Sequence, residues 1–192
     1  MTAYLDSLFA DLASSLLAAQ SQKAELAEAA ETIASSLQGG GVLFLCGNGG
    51  SAAEAQHFAA EFVGRFMTER PGLPAVSLSA DSSKLTAIGN DYGFAEVFAR
   101  QVRALGRPGD VLWAMSTSGT SPNVLSALSA ARETGLRTIF MCGRELSDAG
   151  AADVVILSPA PSTPRIQELH LFYGHAVCDL CDRILFSGGA PD

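Results

Sequence analysis

Basic residues are scarce in this chain: 12 Lys and Arg stand against 20 Asp and Glu in 192 residues, a formal net charge of -8. Neutralising the phosphates of a nucleic acid needs clustered Lys and Arg, so a broad nucleic-acid-binding face is excluded. Long apolar runs are missing too. No stretch approaches the span of about 18 residues that a membrane helix needs, so no membrane partner is expected. The opening residues, Met1-Thr2-Ala3-Tyr4-Leu5-Asp6, lack the basic region of a secretory signal. There are four cysteines, Cys46, Cys142, Cys178 and Cys181, too few and too apolar in their surroundings for a disulfide framework. Charge of either sign is sparse at 17%, while 48% of residues are hydrophobic. That balance argues against disorder and leaves ample material for a core. The expectation is a cytoplasmic, soluble protein of one domain with a helical appendage.

Apolar residues recur at steps of three and four through Leu5, Leu8, Phe9, Leu12 and Leu16, then Leu26, Ala30, Ile33 and Leu37. This is the period of helix, with a break near Gln20-Ser21-Gln22. Residues 1–38 therefore read as a helical arm with little of its own domain to pack on, whose apolar stripe should meet another subunit. The triglycine Gly39-Gly40-Gly41 ends it. Residues 39–192 then alternate short apolar runs with helical patterns. Strands are predicted at 42–46, 75–78, 111–115, 138–142 and 154–157. Helices are predicted at about 51–66, from Ser121 onward, and at about 163–185. Helical material also lies between Ser82 and Ala104, interrupted at Gly89-Asn90-Asp91. Five buried strands separated by helices imply an α/β protein with a doubly wound five-stranded parallel sheet. In such sheets ligands bind beyond the carboxyl ends of the strands, so the segments starting at Gly47, Ser79, Ser116, Gly143 and Ser158 should line one edge.

Two of those segments have unusual composition. Gly47-Asn48-Gly49-Gly50-Ser51 joins the first strand to a helix; its glycines let backbone approach a ligand, and a helix N-terminus offers N–H groups to an anion. A capping box of Ser51 with Glu54 would explain the serine without a ligand, but not three glycines. The run Gly47-x-Gly49-x-x-Ala52 also fits a dinucleotide fingerprint. The second strand, however, ends near Asp81, well past the point about 20 residues on where a ribose-binding acid is expected. Ser116-Thr117-Ser118-Gly119-Thr120-Ser121-Pro122 follows the third strand. Ser121 and Pro122 suit an N-cap and first helical residue, which needs one hydroxyl. Five hydroxyls around a glycine form a candidate phosphate cradle.

His57 and Glu61 lie four apart on one helical face. They are either a solvated pair or a cleft pair able to hold a divalent metal or act on a sugar carbon as base. On the last helix, His170 and His175 point about 140° apart and cannot both face one site. Gln167 and His175 diverge by about 80° and could converge; geometry allows one histidine without saying which. Cys178 and Cys181, a C-x-x-C inside a helical pattern, read as core thiols. Asn90-Asp91 is either a turn or a contact to a ligand hydroxyl.

Taken in order, Gly47-Asn48-Gly49-Gly50-Ser51, His57-Phe58-Ala59-Ala60-Glu61, Gly89-Asn90-Asp91, Ser116-Thr117-Ser118-Gly119-Thr120-Ser121 and Arg165-Ile166-Gln167-Glu168-x-His170 resemble the sugar isomerase (SIS) domain proteins, specifically the phosphoheptose isomerases. The resemblance spans nearly the whole chain. It implies conversion of sedoheptulose 7-phosphate to D-glycero-D-manno-heptose 7-phosphate, the first step toward nucleotide-activated heptose for the cell envelope. It further implies Glu61 as the base and His175 as the partner acid. Zinc, one per subunit, would be held at His57, Glu61, Gln167 and His175. The serine-rich loop (Ser116, Thr117, Ser118, Ser121) would hold the phosphate. Asn48, Gly49, Gly50, Ser51, Asn90, Asp91 and Gln167 would surround the sugar. A homotetramer is implied as well, in keeping with the apolar arm.

One relative of the same fold is a non-catalytic replication regulator that associates with the bacterial initiator protein DnaA. The segments Thr68-Glu69-Arg70-Pro71 and Cys178-Asp179-Leu180-Cys181-Asp182-Arg183-Ile184-Leu185-Phe186 resemble it more than they resemble many isomerases. That regulator lacks the acid and base that Glu61 and His175 supply here, so the enzyme is the expectation. A sugar-phosphate sensor ranks last, since such sensors usually carry a fused DNA-binding domain.

Overall fold

The structure is a computed structural model, and residues 1–143 and 152–186 are described. Helix α1 (Thr2–Ala19) and helix α2 (Lys23–Gln38) are joined by a short 3-10 turn over Gln20–Gln22, at the expected break. The sheet contains β1 (Leu43–Cys46), β2 (Ala75–Ser77), β3 (Val111–Ser116), β4 (Arg137–Cys142) and β5 (Val154–Leu157). The remaining helices are α3 (Gly50–Val63), α4 (Ser82–Tyr92), α5 (Ala99–Leu105), α6 (Pro122–Thr134) and α7 (Thr163–Phe186).

All strand pairs are parallel, in the order β2-β1-β3-β4-β5. This is one of the common doubly wound orders, and its direction of winding reverses between β1 and β3. Strands buried on both faces are apolar at every position, which is why the sequence displays them as runs without alternation. Side chains alternate between two cores. On one face Leu43, Leu45, Val111, Trp113 and Met115 pack with α2, α3 and α7. On the other, Phe44, Cys46, Leu112 and Ala114 pack with residues of α5 and α6.

Two local expectations are corrected, and one alternative reading is set aside. The sheet domain does give the N-terminal helices something to pack on: α2 buries Leu26, Ala29, Ala30, Ile33 and Leu37 in the first core. It is α1 that keeps large apolar side chains in the open, with Tyr4, Leu5, Phe9 and Leu17 all exposed. Helix α4 runs straight through Gly89, Asn90 and Asp91 and stops at Gly93, whose φ of 88° is a left-handed value that glycine adopts without strain. The capping box at α3 does not form: Gly49 is the N-cap with no side-chain cap bond, and Ser51 and Glu54 are both buried within the helix. The expected segment after Gly143 lies outside the described residues.

Candidate active site

Ligands of doubly wound sheets bind at the carboxyl edge where the winding reverses, and here the loops that leave β1 and β3 stand at that point. These are the glycine-rich and serine-rich loops. They are fastened together by a reciprocal amide pair: Asn48 Nδ2 donates to Asn123 Oδ1 at 2.8 Å, and Asn123 Nδ2 donates to Asn48 Oδ1 at 2.7 Å. Asn123 is buried in the first turn of α6. Nothing in its sequence context marks it, because its role depends on a partner 75 residues away. From the segment after β2, Ser79 Oγ donates to the Gly47 carbonyl at 3.1 Å and holds the glycine-rich loop from its other side.

In the serine-rich loop the hydroxyls bond to one another. Ser116 Oγ lies 2.9 Å from Ser121 Oγ and 3.3 Å from Ser118 Oγ. The Gly119 N–H donates to Ser116 Oγ and the Thr120 N–H to Ser118 Oγ, both at 3.2 Å. Gly119 takes a φ of 72° to turn the loop back on itself. Ser121 is the N-cap residue of α6 with Pro122 next, as expected, yet its side chain makes no cap bond. Its hydroxyl belongs to the loop cluster instead. Thr117 is half-buried, and a Cβ at Gly143 would collide with its carbonyl, so the end of β4 presses against this loop.

Helices α3 and α7 run side by side, and their contacts follow one another turn by turn. A Cβ at Gly50 would collide with the Gln167 amide, and one at Gly174 would collide with the Phe58 ring. Between those contacts, His170 Nδ1 lies 3.6 Å from Glu54 Oε2. One turn beyond, His57 Nε2 and His175 Nε2 meet at 2.8 Å, and Glu61 Oε1 stands 3.6 Å from His57 Nε2. Only one of the two imidazoles can supply the proton of that short contact, so the pair is a ready path for a proton.

The two histidines of α7 have different surroundings. His170 is wholly enclosed in the core, while His175 is half-buried and faces His57. Phe66 stacks on the His175 ring at 5.5 Å and Phe58 meets it edge-on at 6.1 Å. Sequence patterning gave no sign of Phe66, which follows the end of α3 and reaches His175 only through the tertiary fold. Gln167 lies about 12 Å earlier along the α7 axis than His175, with its amide over Gly50. Asn90 and Asp91 sit exposed in the last turn of α4, where Asn90 Nδ2 donates to Asp91 Oδ1 at 2.8 Å.

The donor chemistry of His57, Glu61 and His175 suits zinc. Zn–N bonds of about 2.0–2.1 Å in a tetrahedron would hold two imidazole nitrogens about 3.4 Å apart, so the two rings need part only slightly. Among the described residues no group of three His, Cys, Asp or Glu side chains forms a closed cage as it stands. The four thiols offer no alternative. All are buried, and burial pushes those of Cys46 and Cys142 up to about 12.

A doubly wound sheet with a serine-rich loop at its switch point, and a carboxylate beside paired imidazoles on neighbouring helices, defines an α/β domain suited to a small polar ligand. Residues 7–143 match the family model of the SIS domain, and the chain belongs to that family. It is 56% identical over 164 residues to the phosphoheptose isomerase of Solidesulfovibrio magneticus, covering 85% of this chain and 80% of that one. Against the phosphoheptose isomerase of Neisseria meningitidis serogroup C it is 48% identical over 98% of this chain and 100% of the relative. The structure of the phosphoheptose isomerase from Neisseria gonorrhoeae superimposes with a TM-score of 0.86 at 44% identity, covering 94% of this chain and 98% of that chain. Within the SIS domains, its place is among the phosphoheptose isomerases.

Proposed function

We infer that this protein is an aldose–ketose isomerase that converts sedoheptulose 7-phosphate to D-glycero-D-manno-heptose 7-phosphate. The observation that carries this reading is the meeting of Glu61, His57 and His175 from two helices, on the helix that the glycine-rich loop opens. Moving a carbonyl by one carbon needs a group that takes a proton from the carbon beside it and a group that returns one across the enediol. Glu61, as carboxylate, removes the proton from C1 of the ketose. The electron pair forms the C1–C2 double bond, and the C2 oxygen takes up a proton. His175 then serves C2, with His57 as its proton partner, while the C1 hydroxyl gives up its proton to become the new carbonyl.

The phosphate is assigned to Ser116, Thr117, Ser118 and Ser121, with the N-termini of α3 and α6 contributing partial positive charge. Asn48, Gly49, Gly50, Ser51 and Gln167 are assigned to the sugar. The spacing supports a long substrate: Gly50 and His57 are about 10 Å apart along the α3 axis, which separates an anion-binding end from a reacting end. Asn90 and Asp91 are assigned to the sugar on their place in the family motif alone. Zinc is proposed at His57, Glu61 and His175, and when bound it would polarise the carbonyl as a Lewis acid; Gln167, the fourth donor of the expected set, has its amide over Gly50 here, about two turns from those three. A homotetramer working in the cytoplasm is proposed too. It is supported by the uncovered apolar side chains of α1 and by α4, which buries no residue at all. The product would feed a route to nucleotide-activated heptose for cell-surface glycans.

Product analysis by NMR with sedoheptulose 7-phosphate, with and without a chelator, tests the reading. The aldose phosphate should appear, and its absence with the metal-loaded protein would sink the proposal. Glu61→Gln should lower turnover at least about 100-fold while leaving binding of the sugar phosphate, read by calorimetry, nearly unchanged.

A further inference from the structure

Arg70 is an unusual arginine: its side chain is 2% exposed, and its guanidinium is engaged on every side. Nε donates to Asp182 Oδ1 at 2.7 Å, and the Asp182 side chain is itself 7% exposed. Nη1 donates to the carbonyls of Phe62 at 2.8 Å, Pro71 at 3.2 Å and Gly64 at 3.3 Å. Nη2 donates to the carbonyl of Glu61 at 2.9 Å. A helix end leaves its last carbonyls without intrahelical donors, and here one side chain serves two of those of α3, Glu61 and Phe62.

These contacts bear on the chemistry, and the inference rests on the isomerase reading above. Glu61 is the residue whose own backbone Arg70 holds. Asp182, at the other end of the ion pair, stands two turns beyond His175 on the same face of α7. The loop between Gly64 and Pro71 is pinned at both ends by the same guanidinium, and it carries Phe66, the ring stacked on His175. A buried ion pair is weak as a source of stability, since an apolar pair of similar volume often does as well. A planar fork of donors supplies direction instead, which neither a methyl group nor a lysine reproduces. We propose that Arg70 is a positioning residue that sets Glu61 and His57 on α3 against His175 on α7, with Asp182 as its anchor. It touches no reacting atom. The two segments that resemble the replication regulator, around Arg70 and Asp182, thus meet each other inside this chain.

The test is Arg70→Lys in the full-length protein, with folding checked by circular dichroism. Near-attack geometry is sensitive to displacements of about 1 Å, so kcat for sedoheptulose 7-phosphate should fall at least about tenfold with KM within about twofold. The chain has only three histidines, so their imidazole nitrogen signals can be followed by NMR one by one. Those of His57 and His175 should shift in the variant while that of His170 stays. A folded Arg70→Lys protein with wild-type kcat and unmoved imidazole signals overturns the proposal. Should that variant fail to fold, Asp182→Asn keeps the carbonyl contacts and weakens only the anchor. It should lower kcat about threefold and shift the same two signals, and unchanged values there overturn the proposal equally. If the wild-type protein makes no aldose, the isomerase reading fails by itself, and the imidazole signals alone decide whether Arg70 sets the spacing.

Discussion

Gly174 shows how a single missing carbon sets the distance between two helices. In the middle of α7, alanine in place of glycine would ordinarily gain about 1 kcal/mol of helix propensity. Here a Cβ would run into the Phe58 ring, and overpacking of that kind costs about 1–3 kcal/mol. Gly174→Ala is therefore expected to lower the melting temperature and to part His57 from His175. A calorimetric scan showing a more stable variant would refute the spacing argument. The buried thiols give a second prediction. Burial raises Cys46 and Cys142 from an ordinary 9.0 to about 12, so the folded state keeps protons that the unfolded chain has lost. That contribution is whole below pH 9 or so and disappears as pH climbs toward 12. Thermal unfolding measured from pH 8 to 11 should show a declining midpoint; a flat profile would contradict it. At this scale the sequence was legible where a residue's role is local and opaque where it is not. Arg70 stood out in the sequence only as part of a resemblance, and the packed molecule alone shows it enclosed.

Among the elements, strands announced themselves because every position in β1 and β3 is buried, and all but the closing Ser116 are apolar. Their order could not be read, since a strand hidden on both faces carries no mark of its neighbour. The end of α4 was misplaced for a related reason. Gly89 is tolerated inside a helix, whereas Gly93 has a backbone conformation that stops one, and the letters are the same. The Ser121-Pro122 start of α6 was legible as a helix boundary, but its hydroxyl joins Ser116 rather than the helix. This gives a sharp expectation. Ser121→Ala should cost less than the roughly 1 kcal/mol typical of a lost N-cap, while weakening phosphate binding at least about threefold by the loss of one hydroxyl donor. Chemical denaturation and calorimetry with inorganic phosphate separate the two effects. A large loss of stability with unaltered phosphate affinity would return Ser121 to a capping role. Asn123→Ala should behave oppositely. Leaving the Asn48 amide without its partner costs about 1–3 kcal/mol and frees the glycine-rich loop from α6, which denaturant titration would register.

As a whole molecule, the protein keeps its apolar stripe outward on α1 and inward on α2. For the proposed homotetramer, Phe9→Glu on α1 should therefore leave the sheet domain folded while reducing the mass seen by light scattering. An unchanged mass would mean that α1 is not the contact. A last consequence concerns ionic strength. The loops assigned to the phosphate, Gly47 to Ser51 and Ser116 to Ser121, contain neither Lys nor Arg, and the chain around them carries a net charge of -8. Attraction to the substrate would come from hydroxyls and helix ends acting at contact range, where dissolved ions screen little. The long-range field of the surface repels an anion, and that is the part salt removes. Most binders of phosphorylated ligands lose affinity as salt is added; this one should hold its affinity or capture its substrate slightly faster.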